Sequence, residues 1–171
     1  VILANSQKAF STIWTPLAIT RVRPGPEPIG PSNRRGPLVI SEVMYHPRDR
    51  ADGRNLEFVE IYNSQDWSED ISGFRLSGDI DYAFPTNTTL GARSYLLVAA
   101  SPADIQAVYG VVTTHAFTGN LPNDKGRVRL RNRQDAVVVE VNYDTEPPWP
   151  AAPDGAGHSL VLARPSFGEA N

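Results

Sequence analysis

The sequence predicts an all-β sandwich of about eight strands with one short crossover helix. Short runs rich in β-branched and aromatic residues recur between turn signals from Leu38 onward, which is the pattern of a two-layer β domain. Only one segment carries both a helix start and a helix stop. With 171 residues, 40% of them hydrophobic and 20% charged, the chain is long enough for one domain with a core that needs neither metal nor disulfide.

The expected strands, in order, are LVISEVMY (38–45), LEFVEIYN (56–63), ISGFRLS (71–77), YAFP (82–85), SYLLVAA (94–100), GRVRLRN (126–132), AVVVEVNY (136–143) and HSLVLA (158–163). The helix is SPADIQAVYG, with Ser101 as N-cap, Pro102 in the first turn, Asp104 favouring the positive end of the dipole and Gly110 as stop. It connects strands and forms no second layer. Between Asn132 and Asp135 a short polar turn joins two strands into a hairpin.

Taken in order, LVISEVMYHP, LEFVEIYN, the step from Asp70 to Ser77, YAFP and SYLLVAA resemble the lamin tail domain, in the form found in large bacterial surface and secreted proteins. A second block continues the resemblance through GNLPNDKGRVRLRN, AVVVEVNY, PPWP and DGAGHSL, so that it spans 38–163. Phe74 stands where the family usually has Trp, and Val139 where Asp is common; both remain good strand formers. The resemblance implies an immunoglobulin-like sandwich acting as a non-catalytic interaction or architectural module, without cofactor. Nuclear lamins proper carry long heptad repeats upstream, and the residues before 38 have none. The expectation is therefore a module of a larger bacterial cell-surface or secreted protein, located outside the cell or in the envelope. Its expected partners are other domains of the parent chain or other proteins.

Composition narrows the remaining classes. The absence of Cys removes disulfides, thiol chemistry and Cys-zinc sites while leaving the redox compartment open. No run of 18 apolar residues exists to span a membrane as a helix. Net charge is −3, but residues 1–37 carry +4, leaving −7 on the rest, a field that disfavours nucleic acid. Fourteen Arg against two Lys fits a GC-rich, bacterial source. The chain begins at Val1 and reads as a piece of something longer. Residues 24–37, with five Pro and three Gly between Pro24 and Pro37, read as a linker, and 164–171 as a tail. The arm at 1–23 contains Phe10, Ile13, Trp14 and Leu17 and reads as the end of a preceding domain or as a docking strand able to build a homodimer.

Several residues carry groups capable of chemistry. Glu42 and Glu60 share strand parity with apolar neighbours and are expected to point inward while Glu57 points out; two inward acids are what a β-sandwich glycosidase would need, but a satisfied structural carboxylate is the preferred reading. Asp49, Asp52, Asn55 and Glu57 offer oxygens that calcium could use, in a loop whose Asp-Gly is first of all a turn. His46, His115 and His158 stand singly, so no metal site is assigned. DGAG at 154–157 precedes a strand and reads as a turn, not a phosphate loop. Arg127, Arg129 and Arg131, continued by Arg133, alternate along a strand and form one ridge, with Val128 and Leu130 facing the core. The ridge is the one candidate ligand surface, for a polyanion or a sulfated carbohydrate; the competing expectation is a face neutralised by Glu140 and nearby acids.

Overall fold

The computed structural model describes residues 37–162. The expectations for the arm, the linker up to residue 36 and the tail lie outside these residues. The described chain forms β1 (Leu38–Met44), β2 (Phe58–Asn63), β3 (Glu69–Asp70), β4 (Arg75–Gly78), β5 (Ile80–Ala83), β6 (Thr89–Leu90) and β7 (Tyr95–Ala99), then helix α1 (Pro102–Tyr109). The remaining strands are β8 (His115–Ala116), β9 (Thr118–Gly119), β10 (Lys125–Arg131), β11 (Val137–Asp144) and β12 (Leu160–Val161). All eight expected strands are present with shifted ends: most are shorter, whereas β5 starts two residues earlier at Ile80, β10 starts at Lys125, and β4 and β11 run one residue further, to Gly78 and Asp144. The four extra strands β3, β6, β8 and β9 have two residues each, too short for a period of two to register.

Two five-stranded sheets face each other, one in the order β12-β1-β2-β7-β8 and one in the order β11-β10-β4-β5-β9, and β3 and β6 form a two-stranded ribbon. Helix α1 crosses from β7 to β8, which lie parallel and adjacent. It starts where expected: Ser101 accepts from the Asp104 N–H, and Gly110 closes it in the left-handed conformation. The expected strand at 71–77 begins only at Arg75, because Ile71 to Phe74 close a turn with Gly73 at φ 71°. The core between the sheets is built from Ile40, Val43, Val59, Ile61 and Val98 on one side and Leu76, Ile80, Val128, Leu130 and Val139 on the other.

One irregularity decides which side chains reach that core. The register of β1 against β2 shifts between Ile40 and Glu42, so Ser41 is an extra residue in the ladder. Leu38 and Ile40 before the bulge, and Val43 and Tyr45 after it, all face the sandwich interior. Glu42 and Met44 are thereby turned to the opposite, outer face. This corrects the expectation that Glu42 shares a face with Leu38 and Ile40: unbroken alternation does not survive a bulge.

At the end of β2 the side chain of Asn63 is fully buried and gathers three chain segments. Its Nδ2 donates to the carbonyls of Trp67 (2.8 Å), Gly91 (3.0 Å) and Leu90 (3.2 Å), while its Oδ1 accepts from the Gln65 N–H at 3.0 Å. The loop after β2 and the β6–β7 connection are both held by this one amide. Replacing it by Ala strands buried carbonyls, each costing about 1–3 kcal/mol when left unpaired. Asn63→Ala is expected to lower unfolding free energy by about 2–4 kcal/mol in urea titration with little change in the m-value.

Candidate functional site

The outer face of the first sheet is organised in three cross-strand rows. Met44, Phe58 and Ala99 form the first, and helix α1 covers it with Ile105. The second row pairs Glu42 with Glu60 and Glu60 with Leu97. Val39, Tyr62 and Tyr95 make the third, with the two tyrosine rings stacked at a centroid distance of 4.5 Å and tilted by 27°. The two carboxylates thus lie directly opposite each other on neighbouring antiparallel strands, each 2% exposed. They are inward in the sense of burial, yet on the far side of the sheet from the sandwich core.

Each carboxylate accepts from a serine hydroxyl. Ser41, the bulge residue, donates to Glu60 Oε1 at 2.8 Å, and Ser159 donates to Glu42 Oε1. Among the described residues Glu42 Oε2 has no hydrogen-bond partner. Burial pushes the Glu42 carboxyl up to about 7 against the downward pull of Ser159, with Glu60 adding to the rise; burial raises Glu60 too. A cavity of about 110 Å³ opens over this pair, walled by Val39, Tyr62, Tyr95 and Val161. Glu57 is apart from both: its Oε2 accepts from the Leu121 N–H at 3.1 Å, tying β2 to the loop before β10.

The arginine ridge occupies the outer face of the second sheet. Val128 and Leu130 are buried between its members. Arg129 lies directly across from Glu140 and is ion-paired with it, holding that carboxyl below its usual range. Arg131 donates to Ser77 Oγ at 3.0 Å and to the Asp135 carbonyl at 2.7 Å, and Arg133 reaches Asp70 and the Ser72 carbonyl. Arg75 sits opposite Arg131 and is paired with Asp81, its Nε 2.8 Å from Oδ1. Arg127 is exposed, and its guanidinium makes no hydrogen bond or ion pair among the described residues; its backbone N–H donates to Asp79 Oδ2 at 2.6 Å and its carbonyl accepts from the Asp79 N–H at 3.1 Å.

The other candidates separate. In the β1–β2 loop Asp52 is taken by Arg50 and Arg54, which hold its carboxyl down at about 2, with the Arg50 hydrogen bond the largest cause. Asn55 Oδ1 caps the Glu57 N–H at 2.9 Å, so these oxygens do not converge on one point. Among the described residues no three His, Asp or Glu come together in a way that could hold a metal ion. His46 Nδ1 lies 2.6 Å from Asp154 at the DGAG turn, where Gly155 and Gly157 have positive φ, and His115 Nδ1 lies 2.6 Å from the Tyr82 hydroxyl. Trp67 is 60% exposed with its indole N–H on Glu69, whereas Trp149 is partly buried against the core. Among the described residues no helix is long and apolar enough to cross a membrane.

This arrangement of two sheets agrees with a direct family comparison, in which the model of the Lamin Tail Domain matches residues 31–145. The chain belongs to the lamin tail domain family. No curated protein matches it. The lamin tail match ends before PPWP and DGAGHSL, which the sequence resemblance also included, although β12 beyond them pairs with β1 through Glu42 and Val161. As a lamin tail domain the protein has an immunoglobulin-like fold of an interaction and architectural type, in a family without catalysis.

What sequence reasoning missed in this lamin tail domain is the Tyr62–Tyr95 stack and the Ser41 and Ser159 partners of the acids. The available signal was the Ser-Glu pair inside an otherwise apolar strand, which breaks alternation where a bulge belongs.

Glu42 also makes the domain's stability depend on pH. A carboxyl raised in the folded state contributes fully below its unfolded value near 4.5, and the contribution is lost as pH climbs through about 7. Glu42→Gln is expected to flatten stability between pH 5 and 8 and to raise it at pH 8 by about 1–3 kcal/mol. Urea unfolding of both proteins across that range checks this; a wild-type profile that rises toward pH 8 contradicts it.

Proposed function

We propose that this lamin tail domain is a non-catalytic interaction and architectural module of a larger bacterial cell-surface or secreted protein, binding other domains of its parent chain or protein partners. The family match over residues 31–145 carries this reading. The Arg-rich composition supports the bacterial source, and the absence of any need for Cys fits an extracytoplasmic setting as well as any other. The two acids a hydrolase would use are each tied into the β-ladder by a serine, Glu60 by Ser41 and Glu42 by Ser159, which supports a structural and binding role over turnover.

The test is direct. The purified chain is expected to cleave none of a panel of chromogenic glycosides and esters, and Glu60→Gln to alter unfolding without altering any rate. Cleavage that vanishes in the Gln variant would overturn the reading.

Polyanion or carbohydrate binding through Arg127, Arg129 and Arg131 is the second reading, and one observation favours it: Arg127 is exposed and its guanidinium has no hydrogen bond or ion pair among the described residues. Arg129 and Arg131 are already committed to Glu140, Ser77 and Asp135, so a phosphate or sulfate must displace these partners. Heparin is therefore expected to bind weakly at low salt and to be lost at physiological ionic strength, and Arg129→Glu with Arg131→Glu to lower stability more than binding. Tight binding that persists at physiological salt and disappears in the double variant would make the ridge the functional surface.

A further inference from the structure

The outer face of the first sheet is covered unevenly. Helix α1 lies over the first row, and Leu97 and Val111 pack into the cluster beneath it. Beyond the helix the face is open: Tyr95 on β7 is 43% exposed, Val112 just before β8 is 73% exposed and Val161 on β12 is 47% exposed. Two cavities of about 260 and 110 Å³ adjoin on this side and share Glu60 and Tyr95 in their walls, with Val112 lining the first and Val161 the second. Together they make a groove that crosses the strands from one edge of the sheet to the other, roughly 19 Å at ~4.8 Å per strand spacing. Three of the five large hydrophobic side chains exposed among the described residues rim this one groove, which marks it as a docking surface.

We propose that the groove is the docking site of residues 10–17 of the same chain. This goes beyond the interaction-module reading, because the occupant belongs to the chain itself. The point of entry favours it. Pro37, the first described residue, is fixed through its carbonyl, which accepts from the Ser64 N–H at 2.8 Å and the Ser64 hydroxyl at 2.9 Å. Leu38 follows beside the row of Val39, Tyr62 and Tyr95, so the residues before 37 start out at the open side of the groove. The thirteen residues 24–36 reach ~40 Å when extended, about twice the width to be crossed. Spacing agrees as well. Phe10, Ile13 and Trp14 stand at i, i+3 and i+4, the pattern of an apolar stripe that seats in a groove, with Pro16 ending the repeat and Leu17 just beyond it. Docking takes two apolar surfaces out of water at once.

Charge complementarity points the same way. Residues 1–23 carry Lys8, Arg21 and Arg23 and no acid, whereas Glu42 and Glu60 lie in the wall of the groove. Burial raises both carboxyls and a serine hydroxyl lowers each, and the positive charge of the chain's own amino terminus lowers both as well. Arg93, hydrogen-bonded to Tyr62 and ion-paired with Asp66, bounds the third row without entering either cavity wall.

The experiment compares methyl and aromatic NMR spectra of the full wild-type chain with those of the full-length variant Phe10→Ser, Ile13→Ser, Trp14→Ser. The signals of Tyr95, Val112 and Val161 are expected to shift, those of Val137, exposed on the second sheet, to stay in place, and the urea midpoint to fall. A reciprocal variant, Val112→Lys with Val161→Lys, alters only exposed positions of the groove. In it the Trp14 indole signal is expected to move to the position it has in a free peptide of residues 1–23. Groove signals that stay in place in the first variant, or a Trp14 signal already at the free-peptide position in the wild type, overturn the proposal. A mixture of isotope-labelled and unlabelled wild-type chains shows whose residues fill the groove. Contacts between Trp14 and Val112 within one chain, at the mass of a monomer, support the proposal; contacts seen only between chains assign the groove to a second copy and overturn it.

Discussion

Ser41 is the residue on which the arrangement of the first sheet turns. A strand that reads LVISEVM cannot place Leu38, Ile40, Val43 and Tyr45 on one face under strict alternation, and the bulge makes this possible by spending one residue without a partner. Without it, keeping Leu38 and Ile40 inside would bring Glu42 into the core and send Val43 and Tyr45 out, and an unpaired carboxylate in a dry interior costs several kcal/mol. The bulge residue is itself used, since its hydroxyl satisfies Glu60 across the ladder and its carbonyl accepts the Leu162 N–H at 2.9 Å. One backbone irregularity thus sorts the core, supports one buried acid and anchors the strand that brings Ser159 to the other.

The two outer faces handle charge in opposite ways. On the second sheet, arginines at alternate positions would repel one another, and the repulsion is relieved by acids from neighbouring strands and turns, with Glu140, Asp81, Asp135 and Asp70 each meeting a guanidinium. Most of these pairs are open to solvent and contribute little each, so that face is regular without being strongly stabilised by them. On the first sheet the acids are removed from water and supported by hydroxyls, and burial raises both carboxyls above their ordinary range. Acids paired with guanidinium groups and acids buried beneath serine hydroxyls therefore coexist on opposite sides of one sandwich.

The long runs were readable because their patterning and their packing agree. GRVRLRN alternates without interruption and lies as the period says, with Val128 and Leu130 inside. The helix was readable because Ser101, Pro102 and Gly110 are local signals that need no tertiary support. The two-residue strands were hidden because their pairing is decided by what lies beside them: β8 exists through Val98 and Ala99 on β7, not through any preference of His115 and Ala116. The Glu42–Glu60 pair was visible as two acids in apolar strands, but its placement hung on the bulge, and the tyrosine wall hung on a pairing between residues 62 and 95 that spacing does not encode.

The bond between Ser159 and Glu42 joins positions 117 residues apart, and β12 meets β1 with only two residues. During synthesis at about 5–20 residues per second, β1 emerges early and must wait several seconds for the segment that completes its edge. Until then the growing chain carries an open strand border beside an acid that lacks its serine, and the hairpin of β10 and β11, whose partners are close in sequence, can form while the first sheet is still unfinished. Pairing of β1 with β12 therefore waits for Leu160 and Val161, and a chain that stops short of residue 159 lacks the hydroxyl that Glu42 Oε1 accepts from.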